Sequence, residues 1–485
     1  MRNKIVFYLN GKRREEGPEK ASMMLAEYLR YDQALTGTKI VCAEGDCGAC
    51  SVLRYFPHIK QGIDTDNYLP INSCITLVAQ LDGSSLVTVD ALKKNNELHE
   101  SQRAMVECHG SQCGFCTPGF VVALTGLVEE KIAKQEKNLS AQDAKNCMTG
   151  NLCRCTGYQP IINAALSIDI EKCESIKERF FTEHQHLELK KAFLQSVALE
   201  SPEFSFFAPK TMKDALDFLK ANPETKIVAS GTDLGVVHNK RKIQLTKLLS
   251  LHLVEDLYEI KKSGNEISLG ARVTITEFRH FIKAMVPEFA TYIDVFASPQ
   301  IKNIATIVGN IANASPIGDT PPAFLALNAN VEVASLNGER EIPLNQFFLA
   351  YRTINIHPGE IITRLKFDLP RKQSILRFIK VSNRKDLDIS AVNLAINLEW
   401  KDQAKKQIGE IIIAAGGVAA TPLRFLRTEE FLKKNPLTIA NLDLAIKELH
   451  SEFNPISDVR ASSSYRHVVI ENHFRRFLCE VGGLE

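Results

Sequence analysis

The sequence predicts a multidomain α+β chain, with two small cysteine-centred domains ahead of a larger mixed region. Three observations carry that expectation. At 485 residues the chain is long enough for roughly three domains of about 150 residues each. Eight of its 12 cysteines fall into two groups in the first third of the chain. Beyond them, strand-like alternation and capped helices mix without a G-x-G-x-x-G turn or a Walker sequence, so neither a dinucleotide-binding βαβ unit nor a P-loop is expected.

The first cysteine group is Cys42, Cys47, Cys50 and Cys74, in IVCAEGDCGACSVL and INSCITL, with spacing C-x4-C-x2-C-x23-C. That is the spacing of plant-type ferredoxins, whose [2Fe–2S] cluster takes four thiolates. Three ligands in one short loop demand a tightly coiled backbone, and Gly45 and Gly48 supply it because glycine reaches positive φ without a Cβ in the way. The alternatives are inert buried cysteines or a structural zinc. Zinc favours paired C-x2-4-C motifs, which the triplet plus one remote ligand matches less well.

The second group is Cys113 and Cys116 in GSQCGFCTPGF, closed by Cys153 and Cys155 in GNLCRCTGY. Thr117-Pro118-Gly119 reads as a helix start with proline just inside it. Phe120, Val121, Leu124, Leu127, Val128 and Ile132 then recur at helical spacing. Ser140 with Asp143 is a capping-box pair, and Gly150 stands where a C′ glycine would end that helix. The cysteines thus fall at helix ends and turns, where the positive end of a helix stabilises an anionic cluster. A C-x2-C with a C-x-C is unspecific alone; beside a ferredoxin quartet it indicates a second [2Fe–2S] cluster.

Composition is ordinary for a globular chain, 45% hydrophobic and 24% charged, and a net charge of +2 argues against nucleic acid as the main partner. The basic runs Lys12-Arg13-Arg14 and Asn239-Lys240-Arg241-Lys242 are expected to be solvated faces. MRNKIVFYLNGKRR reads as a hairpin turning at Asn10-Gly11 and not as a signal peptide. The longest helical apolar stretch, Phe120–Val128, is far short of the roughly 20 residues that span a bilayer, so no membrane association is expected. Ligand cysteines must stay reduced, which points to the cytoplasm. Cys108, Cys147, Cys173 and Cys479 remain over and are expected to be buried as small apolar groups.

Residues 1–87 are expected to form a β-grasp ferredoxin domain, with a short helix at Met23–Leu29 and a closing strand at Leu86–Val89. Residues 88–165 read as a small helical bundle, and 166–203 as a charged linker. In the α+β region 204–372, a strand at FSFFAP leads to a helix boxed by Thr211 and Asp214. Two segments of small residues follow, Lys226–Leu234 and Phe296–Asp319, where backbone N–H groups can approach a diphosphate. Residues 373–485 form a further α+β domain, and Ile439, Leu442, Leu444, Ala445 and Leu449 suggest a buried helical stripe.

The strings SQCGFCTPGF and GNLCRCTGYQPI resemble the second iron–sulfur domain of the molybdenum hydroxylases, the family of xanthine dehydrogenase and aldehyde oxidase. The resemblance continues through residues 204–372 as a PCMH-type FAD-binding domain and through 373–485 as the family's C-terminal flavoprotein domain. It implies FAD, with the diphosphate against Ile227, Val228, Ala229, Ser230, Gly231, Thr232, Asp233 and Leu234, and against Thr306, Ile307, Val308, Gly309 and Asn310. It sets Asp319 on the flavin's chain, Phe296 beside the isoalloxazine, Ile362 near the adenine or ring, and Lys380 near the flavin. Without the family, Lys380 reads as an edge-strand lysine kept for solubility. Ser230 and Val308 stand where the family usually has glycine, so each of these positions carries a Cβ.

The resemblance further implies the small subunit of a split xanthine dehydrogenase-type enzyme, with molybdopterin on a large partner subunit in an (αβ)2 heterotetramer. Gln112 would touch the pterin, and the loop Asn383–Asp388 would meet NAD⁺. Electrons would run from the partner through the two [2Fe–2S] clusters to FAD and on to NAD⁺, with no catalytic side chain on this chain beyond FAD itself. The segment Asp458–Arg466 echoes the family's end and reads as structural. The rivals are a molybdenum hydroxylase acting on aldehydes or other N-heterocycles, a molybdenum-independent flavin–iron–sulfur reductase, and a non-catalytic zinc scaffold.

Overall fold

Ile5–Leu9 and Lys12–Glu16 pair antiparallel across Asn10-Gly11, both of which take positive φ (53° and 77°), as a two-residue hairpin with this twist requires. Every residue of Ile5–Leu9 is buried, whereas Lys12–Glu16 at the sheet edge is mostly exposed. In this computed structural model, residues 1–57, 66–402 and 407–484 are described. They divide into two units: Met1–Tyr258 with Thr274–Glu277 and Ala297–Thr306, and Glu259–Val273 with Phe278–Phe296 and Ile307–Glu485.

In the first unit the hairpin belongs to a five-stranded sheet, ordered Lys12–Glu16, Ile5–Leu9, Ser85–Val87, Ser51–Tyr55, Leu69–Asn72. Ser85–Val87 runs parallel to Ile5–Leu9 and antiparallel to Ser51–Tyr55, the mixed sheet of a β-grasp. The helix anticipated at Met23–Leu29 is shorter, Leu25–Glu27, and widens into a π-turn over Tyr28–Asp32. Four helices follow: Glu100–Glu107, Thr117–Ala133, Ala141–Met148 and Gln159–Leu166. Phe120, Val121, Leu124, Leu127 and Val128 are buried, so the apolar period of Thr117–Ala133 is a packed face. Ser140 and Asp143 form the anticipated reciprocal cap.

The stretch read as a linker folds. It holds the helices Ile176–Phe180 and Glu183–Phe193 and the strand Val197–Glu200. Ser175 and Thr182 cap the two helices, and the buried carboxylate of Glu129 accepts the amides of Ile176 (2.6 Å) and Lys177 (3.3 Å). A second sheet, ordered Val197–Glu200, Ser205–Ala208, Lys247–Ser250, Lys226–Val228, completes the unit. One core joins both sheets, with Phe7 from the first, Tyr28 from the π-turn beside it, and Phe206 and Leu248 from the second. Asp82 stitches them with charge. Its buried carboxylate accepts both Arg2 guanidinium nitrogens at 2.7 Å, the Val6 amide at 2.8 Å and His252 Nε2 at 3.1 Å.

The second unit contains a five-stranded antiparallel sheet, ordered Ile260–Ser263, Glu266–Gly270, Ile361–Asp368, Asn330–Ser335, Gly338–Pro343. A four-stranded antiparallel sheet, Ile375–Val381, Val392–Trp400, Ile408–Gly416, Leu423–Arg424, packs beneath the helices Leu426–Lys434, Ile439–Ser451 and Ser463–Gly482. The buried stripe of Ile439–Ser451 is Leu442, Ala445, Ile446 and Leu449. Ile439 and Leu444 are exposed, correcting the anticipated stripe: Leu444 lies two residues from Leu442, about 200° around the helix. Among the described residues no helix is long and apolar enough to cross a membrane.

Candidate iron–sulfur and flavin sites

The loop before Ser51–Tyr55 carries three cysteines because its backbone turns back on itself at Ala43, Gly45 and Gly48, with φ of 54°, 76° and 69°. The fourth, Cys74, sits in the turn Ser73–Ile75, and Ser73 is tied to the Cys50 carbonyl by its hydroxyl at 2.6 Å. The Cys42 sulfur accepts the Cys47 amide at 3.4 Å, and Asn72 Nδ2 donates to the Cys50 sulfur at 3.7 Å. Cys42 lies within hydrogen-bonding reach of Cys47 and Cys74, and Cys50 of Cys74. Those contacts hold Cys42 and Cys50 below the ordinary thiol range, while Cys47 and Cys74, as the donors, are pushed above it.

Cys113 and Cys116 precede the helix Thr117–Ala133, and Cys153 and Cys155 precede Gln159–Leu166. Cys113 is matched with Cys155, and Cys116 with Cys153. The Phe115 amide and Cys155 lower Cys113; burial, then Cys153, raises Cys116 to about 12. Burial works to raise Cys153, but hydrogen bonds from Thr156, Cys116 and the Cys155 amide together outweigh it; the Thr156 hydroxyl lies 3.2 Å from the sulfur. Tyr158, itself at φ 69°, accepts the Cys153 amide through its hydroxyl at 3.0 Å. Cys50 and Cys74 are buried, whereas Cys113 and Cys155 are exposed, as is Gln112. Both quartets bring thiols together in facing pairs, the arrangement of a dinuclear cluster with two thiolates per iron. Among the described residues, no group of three or more His, Cys, Asp or Glu is disposed around one metal ion. Cys108, Cys147, Cys173 and Cys479 lie outside the quartets and are half-buried against the cores, not fully buried as expected.

The two quartets meet through backbone. The Leu152 amide, one residue from Cys153, donates to the Cys47 carbonyl at 3.0 Å, and Asn151 Nδ2 donates to the Gly48 carbonyl at 3.2 Å. A Cβ at Gly119 would strike the Gly48 carbonyl, and one at Gly48 would strike the Gly150 carbonyl. Gly150 is therefore a close-approach glycine and not the positive-φ helix stop anticipated from its position. Gln300, fully buried, donates to Asn151 Oδ1 at 2.8 Å and Ser51 Oγ at 3.3 Å. Sequence reasoning missed Asn151 and Gln300, amides whose partners lie 103 and 149 residues away along the chain.

The residues expected to hold FAD fall on both units. In the first, Ile227 and Val228 end the strand Lys226–Val228, Ala229–Asp233 form the loop, and Leu234 opens the helix Leu234–Asn239. Gly231 takes φ 71° while Ser230 does not need positive φ, so a Cβ at residue 230 is compatible with the turn. Thr306 bridges Thr274. In the second unit, Ile307, Val308, Gly309 and Asn310 open the helix Ile307–Ala312. Val308 is buried in an ordinary helical position, and Asn310 Oδ1 accepts the Thr320 hydroxyl at 2.6 Å.

Asp319 and Lys380 form a buried ion pair at 2.6 Å, their side chains 5% and 4% exposed. The Ser390 hydroxyl and Asn393 Nδ2 (3.2 Å) also donate to the Asp319 carboxylate, and Tyr292 donates to its carbonyl at 3.0 Å. Lys380 Nζ lies 5.9 Å from the centre of the Phe296 ring. Lys380 is on an edge strand but turned inward, which overturns the solubility reading. Ile362 is half-buried on Ile361–Asp368, in the other sheet of this unit.

Residues 202–371 match the FAD binding domain in molybdopterin dehydrogenase, 88–166 a [2Fe-2S] binding domain, and 377–481 the CO dehydrogenase flavoprotein C-terminal domain. In all three of these regions the chain is similar to the iron–sulfur and FAD-binding portion of the molybdenum hydroxylases. It is 30% identical to a xanthine dehydrogenase of Drosophila subobscura over 92% of its own length and 37% of the relative's. Xanthine dehydrogenase 1 of Arabidopsis thaliana is 29% identical over 91% of this chain and 38% of the relative. The chain thus spans under two-fifths of these relatives. Among solved structures, a carbon monoxide dehydrogenase chain from Hydrogenophaga pseudoflava shares the fold at TM-score 0.53 and 23% identity, covering 57% of this chain and 96% of that one. In a chain similar to that portion, the facing thiol pairs and the glycine turns at Gly45 and Gly48 suit [2Fe–2S] clusters. The small residues of Ala229–Thr232, with Gly231 at φ 71°, suit the close approach of a diphosphate.

Proposed function

We propose that this chain is the small subunit of a cytoplasmic xanthine dehydrogenase, carrying electrons from a molybdopterin-binding partner through two [2Fe–2S] clusters and FAD to NAD⁺. The partner would hydroxylate a purine with water as the oxygen source, releasing two electrons per turnover, and the pair would assemble as an (αβ)2 heterotetramer. When bound, FAD stores two electrons that clusters deliver singly, and passes them on as a hydride. Cys42, Cys47, Cys50 and Cys74 hold one cluster; Cys113, Cys116, Cys153 and Cys155 hold the other. The observation that carries the reading is the contrast in exposure between the quartets. Cys113 and Cys155 reach the surface, where a donor can dock beside Gln112, whereas Cys50 and Cys74 are enclosed. The bond from the Leu152 amide to the Cys47 carbonyl links the two.

The residues Ile227–Leu234 and Thr306–Asn310 would face the FAD diphosphate, with Asp319, Phe296, Ile362 and Lys380 around the remainder of the cofactor. The Asp319–Lys380 pair supplies a fixed cation beside the aromatic face of Phe296, suited to a flavin that becomes anionic on reduction. The loop Asn383–Asp388 would receive NAD⁺. Purified with its partner, the complex should show two distinct [2Fe–2S] signals by EPR and be bleached by xanthine, with NADH formed when NAD⁺ is added. Cys113→Ser should abolish reduction of FAD by xanthine while NADH still reduces it. If that variant keeps its FAD yet no longer accepts electrons from NADH, the order of carriers is wrong. Bleaching by an aldehyde and not by xanthine would move the substrate to the aldehyde-oxidising members.

A further inference from the structure

The first quartet joins two separate stretches of the chain. Its ligand loop, 42–50, and its remote ligand, Cys74, are separated by 23 residues, and no strand hydrogen bond joins Cys42 or Ala43 to Cys74 among the described residues. The Cys50 end of the loop is tied to the Cys74 segment by Ser73 and by the pairing of Ser51 with Asn72; its start is held by another element. The helix Leu234–Asn239, which begins where the candidate diphosphate loop ends, points its last residue at this cradle. Asn239 Nδ2 donates to the Ala43 carbonyl at 2.8 Å and to the Cys74 carbonyl at 2.8 Å. One amide group thus uses its two hydrogens on the two separated walls of the site.

The rest of the helix is fitted to the same surface. Val236 packs with Cys50, Cys74 and Ile75. A Cβ at Gly235 would collide with the Ile75 carbonyl, so the helix lies against the turn that carries Cys74 as closely as backbone allows. Lys240 pairs with Glu44 at 2.5 Å, an exposed contact expected to add little. The Ala43 carbonyl is the one that most needs holding, because Ala43 sits at φ 54°, where a residue with a Cβ is strained. The amide hydrogens also place partial positive charge beside a site whose occupant gains negative charge on reduction.

We propose that Asn239 is a positioning residue that clamps the Cys42–Cys50 loop to Cys74 and mechanically couples the diphosphate loop to the first cluster. This rests on the reading that the first quartet holds a [2Fe–2S] cluster. The test uses the full chain purified with its iron, titrated reductively and followed by EPR. Asn239→Leu removes both donors at similar volume. It should make one of the two cluster signals about tenfold harder to reduce, 59 mV lower for a one-electron couple, and alter its g-values. The other signal and the FAD content should be unchanged, and Lys240→Ala should match wild type. Asn239→Ser, which keeps one donor on a shorter arm, covers the case in which the leucine variant does not fold and should shift the same signal by less.

Hydrogen–deuterium exchange on the iron-free chain gives a readout independent of the metal. Asn239→Leu should speed exchange in 43–47 and 74–76 while leaving 113–116 and 153–155 as they were. A folded variant with an unaltered first signal and unaltered exchange overturns the clamp. Wild-type protein without iron–sulfur signals would sink the cluster reading instead, and the exchange experiment would still decide whether Asn239 clamps the loop.

Discussion

The two cysteine quartets bind the same number of sulfurs by opposite means. The first is enclosed by other parts of the chain: Asn72 donates to Cys50, Asn239 grips Ala43 and Cys74, and Leu152 grips Cys47. The second is self-contained. Its ligands sit at the starts of two helices, and their partners, Thr156 and Tyr158, are immediate neighbours in sequence. An enclosed site is tuned by distant residues and shielded from water; an exposed one can exchange electrons with a docked partner. The proposed route, inward from Cys113 and Cys155, rests on this contrast.

The sharpest way to break the contrast is at the seam. Gly119→Ala drives a Cβ into the Gly48 carbonyl, where backbone lies on both sides and nothing flexible can yield. We expect a loss of about 4–5 kcal/mol, at the upper end for a single substitution, with iron lost from both quartets. Gly157→Ala is the comparison. Gly157 has φ 67° and nothing near its absent Cβ, so only conformational strain of about 1 kcal/mol is expected, with iron retained. Chemical denaturation with iron analysis measures both; equal effects would mean that the seam is not tightly packed.

Next in size is the charge that ties the first quartet's domain to the sheet behind it. Burial alone would raise the Asp82 pKa, but hydrogen bonds from Arg2 and His252 outweigh it and hold the carboxyl at about 2. Asp82→Asn leaves Arg2 facing a neutral amide and should cost roughly 3–4 kcal/mol. Because the folded pKa lies below the unfolded one, the carboxylate's contribution is complete above about pH 4 and is lost as pH falls toward 2. An acid-unfolding profile compared between wild type and Asp82→Asn checks both, and the variant should lack the step between pH 4 and 2.

How much of this was legible follows from how local the signal is. The quartets, the Asn10-Gly11 turn and the Ser140–Asp143 cap are spacings, so the residues that specify them are the residues that form them. The helix Glu183–Phe193 was equally visible: Thr182 and Gln185 form a capping box, but the charge of the surrounding stretch hid it. Asn239, Asn151 and Gln300 left no such mark. Each is a single amide whose partners lie 103 to 249 residues away, and nothing in its neighbourhood distinguishes it from a surface residue. Asp319 and Lys380 were named through family likeness, yet their pairing is a tertiary fact that only the fold supplies.

The smallest effect concerns the second quartet's own domain and its response to acid. His99 caps the helix Glu100–Glu107 through Nδ1, which accepts the Ser101 amide at 3.2 Å, and it is nearly buried. Burial, reinforced by the Arg179 charge, pushes its pKa down to about 4. The folded protein therefore resists protonation that the unfolded chain accepts from about pH 6.5 downward, so stability declines as pH falls from 6.5 to 4 and levels off below. The decline can reach about 3 kcal/mol, of which His99→Asn, still able to cap, should remove most at a cost of about 1 kcal/mol at neutral pH. Because Asp82 loses its carboxylate only below pH 4, acid should loosen the second quartet's domain before the first's. Iron release followed by EPR down a pH series measures the order: the second signal should fade first in wild type, and the two should fade closer together in His99→Asn. Loss of the first signal ahead of the second would place the acid-sensitive group elsewhere.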